Sequence, residues 1–298
     1  MRIAFAFFGY EPPEAGGHFS LGNAARSRTF GFVIHPTAII SPQAKLDSTV
    51  EVGPYAVIDG GVEIGPRCII GPHAYLTGLT TMGARNRIYA GCVLGEAPQD
   101  LKYQGTPTAL RIGDDNVFRE HVTVHRSTKA GEATILGSHN FLMAHCHVAH
   151  NCQLGDHVII ANGALLGGHV SVADRAFISG NCLVHQFVRV GMLALMQGGS
   201  AISKDLPPFT TARGDNGICG LNTVGLRRAG LTPAERLELR QLYHALFRQG
   251  LNLSAAVAAA KTRFTSSPSK ITLDFLRGSK RGVCSDVGRD APSTDRLM

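Results

Sequence analysis

The chain has 298 residues, a formal net charge of +7, no Trp and 35 Gly. So much Gly without a collagen triplet indicates many regular turns rather than a flexible linker. Seven cysteines in no CxxC or framework-like spacing argue against a disulfide-stapled secreted fold or a zinc ribbon, and no apolar run is long enough to span a membrane.

Residues 1–33 begin MRIAFAFFGY, one Arg and a short apolar stretch, followed by Glu11 and two prolines. As a signal peptide this is weak, so the segment is read as an extension of unknown role and the protein is expected in the cytoplasm. From Ile34 a period of six takes over. Ile34, Ile40, Leu46, Val52, Ile58, Ile64, Ile70, Leu76, Met82, Ile88 and Leu94 follow one another at that spacing. The phase resumes at Ile112, Phe118 and Val124, then runs unbroken from Leu136 to Ile202. Gly often follows the apolar residue, and a small residue sits four places on.

Six fits neither a helix nor an alternating strand. It fits short strands joined by tight turns, three hexads to a coil, with the apolar residues filling a triangular prism whose coils stack at about 4.8 Å. The expected fold is a left-handed parallel β-helix over residues 34–208. Cys68, Cys92, Cys146, Cys152 and Cys182 all fall four places after the apolar residue, where a small inward side chain is wanted, and are read as core.

Segments 95–111 and 126–135 cannot carry the phase and must loop out; long loops on a rigid scaffold tend to carry function. After Ile202 the pattern changes. Asp205-Leu-Pro-Pro208 ends the solenoid, and Thr232-Pro-Ala-Glu235 is a capping box with Pro at the first helical position. Leu239, Leu242, Tyr243, Leu246 and Phe247 form a helical stripe, and 254–264 and 269–277 read as two further helices of a C-terminal helical domain, 209–281. The tail 282–298 is expected to be disordered. Between Arg227 and Arg281 eleven Lys/Arg face three Asp/Glu, a local net of +8, which points to an acidic partner.

His147, His150, His169 and His185 occupy outward-facing places of the hexad. His150 and His169 lie nineteen apart, close to one coil of eighteen, so they should nearly stack. One flat edge makes no pocket, so a neighbouring copy in a threefold assembly is expected to close it. On residues alone three readings stay open: a general base, a three-His zinc site like that of the γ-class carbonic anhydrases, or a surface without chemistry.

The motifs GEAPQDLKY (95–103), VHRST (124–128), HVAHNC (147–152), GGHV (167–170), VHQF (184–187), DLPPF (205–209) and GLNTVGLRRAG (220–230) occur in that order. Together they resemble the acyltransferases that act on UDP-N-acetylglucosamine at the first step of lipid A synthesis, over about residues 34–280. The resemblance implies transfer of an R-3-hydroxyacyl group from acyl carrier protein to the sugar 3-position by a homotrimer, with no cofactor and no metal. It implies His150 as base and Gly168 as the backbone donor to the oxyanion. Gln99, Asp100, Lys102, His125, His147, His169, His185, Gln186, Asn222 and Arg228 match substrate-contacting positions. Gly198 matches the place that sets acyl-chain length, and a Gly there implies a long chain. Asn151 stands where some members have Asp, Val224 where some have a carboxylate and Ala229 where others have Arg. The basic 227–281 segment would dock the acidic carrier; nucleic acid and integral membrane association are not expected. A zinc hydratase and a coenzyme A-dependent hexapeptide acetyltransferase are the alternatives, but neither accounts for both the PQDLKY loop and the basic helical domain.

Overall fold

The structure, a computed structural model, describes residues 33–288; residues 1–32 and 289–298, which hold most of the N-terminal extension and the end of the tail, lie outside it. Each hexad contributes a two-residue strand, and successive strands pass to successive sheets. Three sheets of nine, eight and eleven strands result, parallel except for one hairpin at the end of the eleven-stranded sheet, and they form the faces of a left-handed β-helix. Strands eighteen residues apart pair in register, as in Val148 with Leu166 and Leu166 with Val184. The hexad residues fill the interior: Ile58, Leu76, Leu94, Phe118, Leu142, Ile160 and Leu166 are at most 1 % exposed. Burying each such side chain contributes about 2 kcal/mol. Only the first coil is open, with Ile34 exposed.

The turns have two separate sequence requirements. The left-handed backbone falls three places after the hexad residue, at Tyr55, Arg67, His73, Asn151, His169 and Phe187 among others, so it is met mostly by non-glycine residues. The Gly directly after the hexad residue serves close approach instead. A Cβ at Gly71 would lie 2.7 Å from the carbonyl oxygen of Ile88, and one at Gly137 2.7 Å from that of Gly155.

Four places after the hexad residue the side chain points inward, and the cysteines expected there are all buried. At one edge the same place holds Asn86, Asn116 and Asn140, each at most 1 % exposed. Asn86 Oδ1 accepts from the Asn116 backbone N–H at 2.9 Å, Asn116 Oδ1 from that of Asn140 at 2.9 Å, and Asn140 Oδ1 from that of Val158 at 2.7 Å. This ladder satisfies backbone groups inside the core.

The two breaks in the repeat are loops 97–108 and 126–132. They lead into the four-residue strands Ala109–Ile112 and Ala133–Leu136, which pair in register with each other. Above the last coil, Thr210–Arg213 adds a parallel partner to Leu195–Met196 and turns back as a hairpin with Gly217–Leu221. Helix α1, Thr223–Arg228, follows, capped by Asn222. Helix α2, Pro233–Phe247, carries the expected capping box and buries Leu239, Leu242, Tyr243 and Leu246. Helices α3, Leu253–Ala260, and α4, Ser267–Arg277, pack against it. Arg189 joins the two parts: it pairs with Asp205 at 2.8 Å and donates to the Phe275 carbonyl of α4 at 2.8 Å.

The disorder expected from Gly282 does not extend over the described part of the tail. Ser285–Asp286 pairs with Gly217–Ile218, Cys284 is buried, and Asp286 accepts from Tyr243 Oη at 2.8 Å and Arg248 Nε at 2.6 Å. The open edge of the hairpin supplies backbone partners that composition does not reveal.

Candidate functional site

One edge of the prism, where the nine-stranded sheet passes to the eight-stranded one, collects most of the chemistry-bearing residues. Loop 97–108 connects strands Val93–Glu96 and Ala109–Ile112 at this edge, and loop 126–132 connects Thr123–His125 and Ala133–Leu136. The next three turns along it contain His150 and Asn151, then Gly168 and His169, then His185, Gln186 and Phe187. The repeat phase thus stacks His150, Gly168 and Gln186 in one column and Asn151, His169 and Phe187 in the next.

His150 is held by its neighbour. Its Nδ1 lies 2.9 Å from Asn151 Oδ1. That oxygen also accepts from the Thr128 backbone N–H at 3.1 Å and from Thr128 Oγ1 at 2.9 Å, while Asn151 Nδ2 donates to Glu132 Oε2 at 2.8 Å. A backbone N–H only donates and a carboxylate only accepts, so the amide has one orientation. Nδ1 of His150 must therefore carry a proton, so in the neutral ring the lone pair is on Nε2.

Nε2 faces Gly168. A Cβ at Gly168 would lie 2.5 Å from His150 Cε1 and 2.7 Å from Nε2, so only glycine leaves room for the ring. The Gly168 backbone N–H has no hydrogen-bond partner among the described residues. Its place in the repeat explains this: Pro54, Pro66 and Pro72 occupy equivalent positions, so the ladder does not use that N–H. The edge thus offers a proton acceptor beside an unclaimed backbone donor.

The other histidines surround this pair. The His169 ring meets His150 edge-on at 5.3 Å and stacks on Phe187 at 4.5 Å. His125 is buried and meets His147 edge-on at 4.7 Å, and its Nδ1 has no hydrogen-bond partner. His147 Nδ1 bonds Thr123 Oγ1 at 2.7 Å. Burial, reinforced by His125 and His150, pushes His147 down to about 4. Burial also lowers His125, against the pull of Glu96, and His169, against the pull of Glu132 and Asp100. All three are neutral near pH 7, polar but uncharged partners for a ligand. No cluster of three or more His, Cys, Asp or Glu side chains suited to a metal ion occurs among the described residues.

In loop 97–108, Asp100 Oδ1 accepts the Lys102 backbone N–H at 2.9 Å, and Gln99, Leu101 and Lys102 are exposed. Arg126 Nη1 anchors the loop base through the Gly95 carbonyl at 2.7 Å. His185 and Gln186 are exposed farther along the edge, with Arg281 Nη2 3.3 Å from His185 Nδ1.

Three residues expected at the site lie elsewhere on the single chain. Gly198 follows a strand of the eleven-stranded sheet and so sits on a different edge. Asn222 spends both ends of its amide locally, accepting from Gly225 N at 3.0 Å and donating to the Leu193 carbonyl at 3.0 Å. With Gln197, Arg213 and Val224 it lines a shallow depression of about 340 Å³. Arg228 is exposed at the end of α1. Conversely, Ser127, Thr128 and Glu132 support the base from loop 126–132. The broken phase marked that loop, but nothing in sequence tied those side chains to Asn151.

Comparison with known proteins fits this geometry. Residues 44–78 and 133–168 match the model described as bacterial transferase hexapeptide (six repeats), and 205–284 match Udp N-acetylglucosamine O-acyltransferase, Domain 2. The fold is that of a hexapeptide-repeat acyltransferase. The acyl-[acyl-carrier-protein]--UDP-N-acetylglucosamine O-acyltransferase of Halorhodospira halophila is 47 % identical over 253 residues, covering 84 % of this chain and 98 % of its own. That of Syntrophobacter fumaroxidans is 44 % identical over 254, with the same coverage. The UDP-N-acetylglucosamine acyltransferase structure from Francisella novicida superposes with a TM-score of 0.81 at 32 % identity, over 85 % of this chain and 94 % of that one. The Campylobacter jejuni structure gives 0.80 at 34 %, over 85 % and 99 %. The chain belongs to the UDP-N-acetylglucosamine O-acyltransferase family.

Proposed function

We propose that this chain transfers an R-3-hydroxyacyl group from acyl carrier protein to the 3-position of UDP-N-acetylglucosamine, the first step of lipid A synthesis, with His150 as base and Gly168 as oxyanion donor. The observation that carries the site assignment is the fixed tautomer of His150, whose free Nε2 stands beside the unclaimed Gly168 N–H. In this reading Nε2 takes the proton of the sugar 3-hydroxyl as its oxygen attacks the thioester carbonyl. The Gly168 N–H meets the charge developing on the carbonyl oxygen. When the C–S bond breaks, the imidazolium returns the proton to the leaving thiolate. The relatives are named O-acyltransferases, which favours an oxygen over a nitrogen acceptor.

Neutral His125, His147 and His169 and exposed His185 and Gln186 supply hydrogen bonds along the edge, and Gln99, Asp100 and Lys102 reach substrate from the loop. A homotrimer completes the pocket. His150 and Gly198 lie on different edges of one chain, and threefold packing would let one copy's His150 edge face its neighbour's Gly198, Asn222 and Arg228. Exposed Leu165, Leu183 and Phe187 give such packing apolar surface. The cationic side chains between Arg227 and Arg281 are exposed except for Arg236, a surface suited to an acidic carrier. Among the described residues no helix is long and apolar enough to cross a membrane. A cytoplasmic location accords with use of the carrier protein.

The test is transfer from 3-hydroxyacyl carrier protein to UDP-N-acetylglucosamine, wild type beside His150→Ala. Turnover that falls by at least about 100-fold in the variant, at unchanged sedimentation, supports reaction and base together. Absence of wild-type turnover with both this sugar and its 3-amino analogue would remove the reading.

A further inference from the structure

We propose that Glu132 is a positioning residue for His150, acting through the side-chain amide of Asn151; this rests on the acyl-transfer reading above. Asn151 is 7 % exposed, and every polar atom of its side chain is engaged. Oδ1 receives Thr128 N, Thr128 Oγ1 and His150 Nδ1, while Nδ2 donates to Ser127 Oγ at 2.7 Å and Glu132 Oε2 at 2.8 Å. The Asn151 backbone N–H is held too, by Thr134 Oγ1 at 2.8 Å. So complete a set fixes the amide plane, and with it the His150 ring.

Geometry alone does not need a carboxylate at 132, because a hydroxyl or an amide oxygen would accept the same bond. The charge adds something else. Donation from Nδ2 to a carboxylate polarises the amide and draws negative charge toward Oδ1, since hydrogen bonds in series strengthen one another. The imidazolium formed during transfer is then stabilised across one amide. Asn151 and Glu132 also form a matched pair. A carboxylate at 151 would bring two like charges to about 2.8 Å, so that one would have to hold a proton.

Other titratable and charged groups lie near His150. His125 and His147 on the strands and His169 across the turn are close neighbours, and Lys129 lies 3.7 Å from Glu132. Asp100, Glu96 and Arg126 act on the flanking histidines. None of them touches Asn151 Nδ2, so Glu132 is separable from them by substitution.

The experiment measures kcat, KM and the pH profile of kcat/KM for the full-length enzyme carrying Glu132→Gln, Asn151→Asp, or both. Gln retains an acceptor for Nδ2 and removes only the charge. In Glu132→Gln we expect kcat to fall about 3- to 10-fold with KM unchanged, and the acid limb to move down by about half a pH unit. Asn151→Asp in the Glu132→Gln background places the carboxylate directly on Nδ1 and should return the limb to the wild-type position or above it. A Glu132→Gln enzyme with wild-type kcat and limb overturns the proposal, as does a change confined to KM or a double variant no better than Glu132→Gln. Thermal melts confirm that each variant folds. Failure of the wild type to transfer acyl groups would count against the acyl-transfer reading, whereas these outcomes judge Glu132 alone.

Discussion

Gly168 lies one coil above His150, in register, and a Cβ on it would come within 2.5 Å of the imidazole. The sequence drew attention to His150 and His169, nineteen apart, but the true vertical neighbour of His150 is the glycine eighteen residues on. At this position one residue supplies both the space for the base and the unclaimed N–H beside it.

Gly168→Ala should therefore act through the base without unfolding the coil. The methyl group displaces the His150 ring, and we expect turnover to fall by at least about 100-fold, as for loss of an oriented base or oxyanion donor. Transfer assays beside thermal melts check this; near-wild-type turnover would show that the ring has another place to go.

Stability should fall in mild acid. The folded pKa of His147, about 4, lies below the ordinary value of 6.5, so between pH 6.5 and 4 the unfolded chain binds a proton that the folded chain refuses. Stability is retained above that window and lost as pH drops through it, by up to about 3 kcal/mol from this residue. Lowered His125 and His169 act in the same direction. Denaturant unfolding at pH 7 and 4.5 should show a smaller loss for His147→Gln than for wild type.

Asp205→Ala should loosen the helical domain. Asp205 is 1 % exposed and holds both the backbone N–H and the guanidinium of Arg189, which lies 4.2 Å over the Phe275 ring of α4. Removing one partner of a largely buried pair leaves an uncompensated cation, a cost of about 3 kcal/mol. Unfolding curves would show it, and hydrogen exchange should locate the gain in mobility at 267–288.

Substituting Gly198 tests the chain-length role. A Cβ there meets only the Gly180 carbonyl oxygen, at 3.6 Å, so Gly198→Leu should fold normally and shift preference toward shorter acyl groups. Assays with carriers of graded chain length decide it; an unchanged preference would remove Gly198 from the acyl groove.

By itself the sequence determined the prism. A strict period of six with a large apolar residue at each step has one efficient solution, short strands in three faces, because only that geometry turns every sixth side chain inward. It also located both excursions, since six-residue phase cannot pass through 95–111 or 126–135, within which the loops 97–108 and 126–132 lie. The capping box of α2 was legible for a similar reason: its two reciprocal bonds lie within four residues.

Tertiary structure decided the rest. The pairing of Ser285–Asp286 with Gly217–Ile218 rests on contacts far apart in sequence, which composition does not encode. The inward Asn86, Asn116 and Asn140 look polar in sequence, yet each oxygen caps a backbone N–H of the next coil. Placement of the PQDLKY loop, the His150 turn and Glu132 along one edge follows from which sheet each strand joins. The tautomer of His150 depends on an amide oriented by a loop about twenty residues away. Local pattern fixes period and phase, but a site built from hydrogen bonds between coils exists only once the coils have stacked.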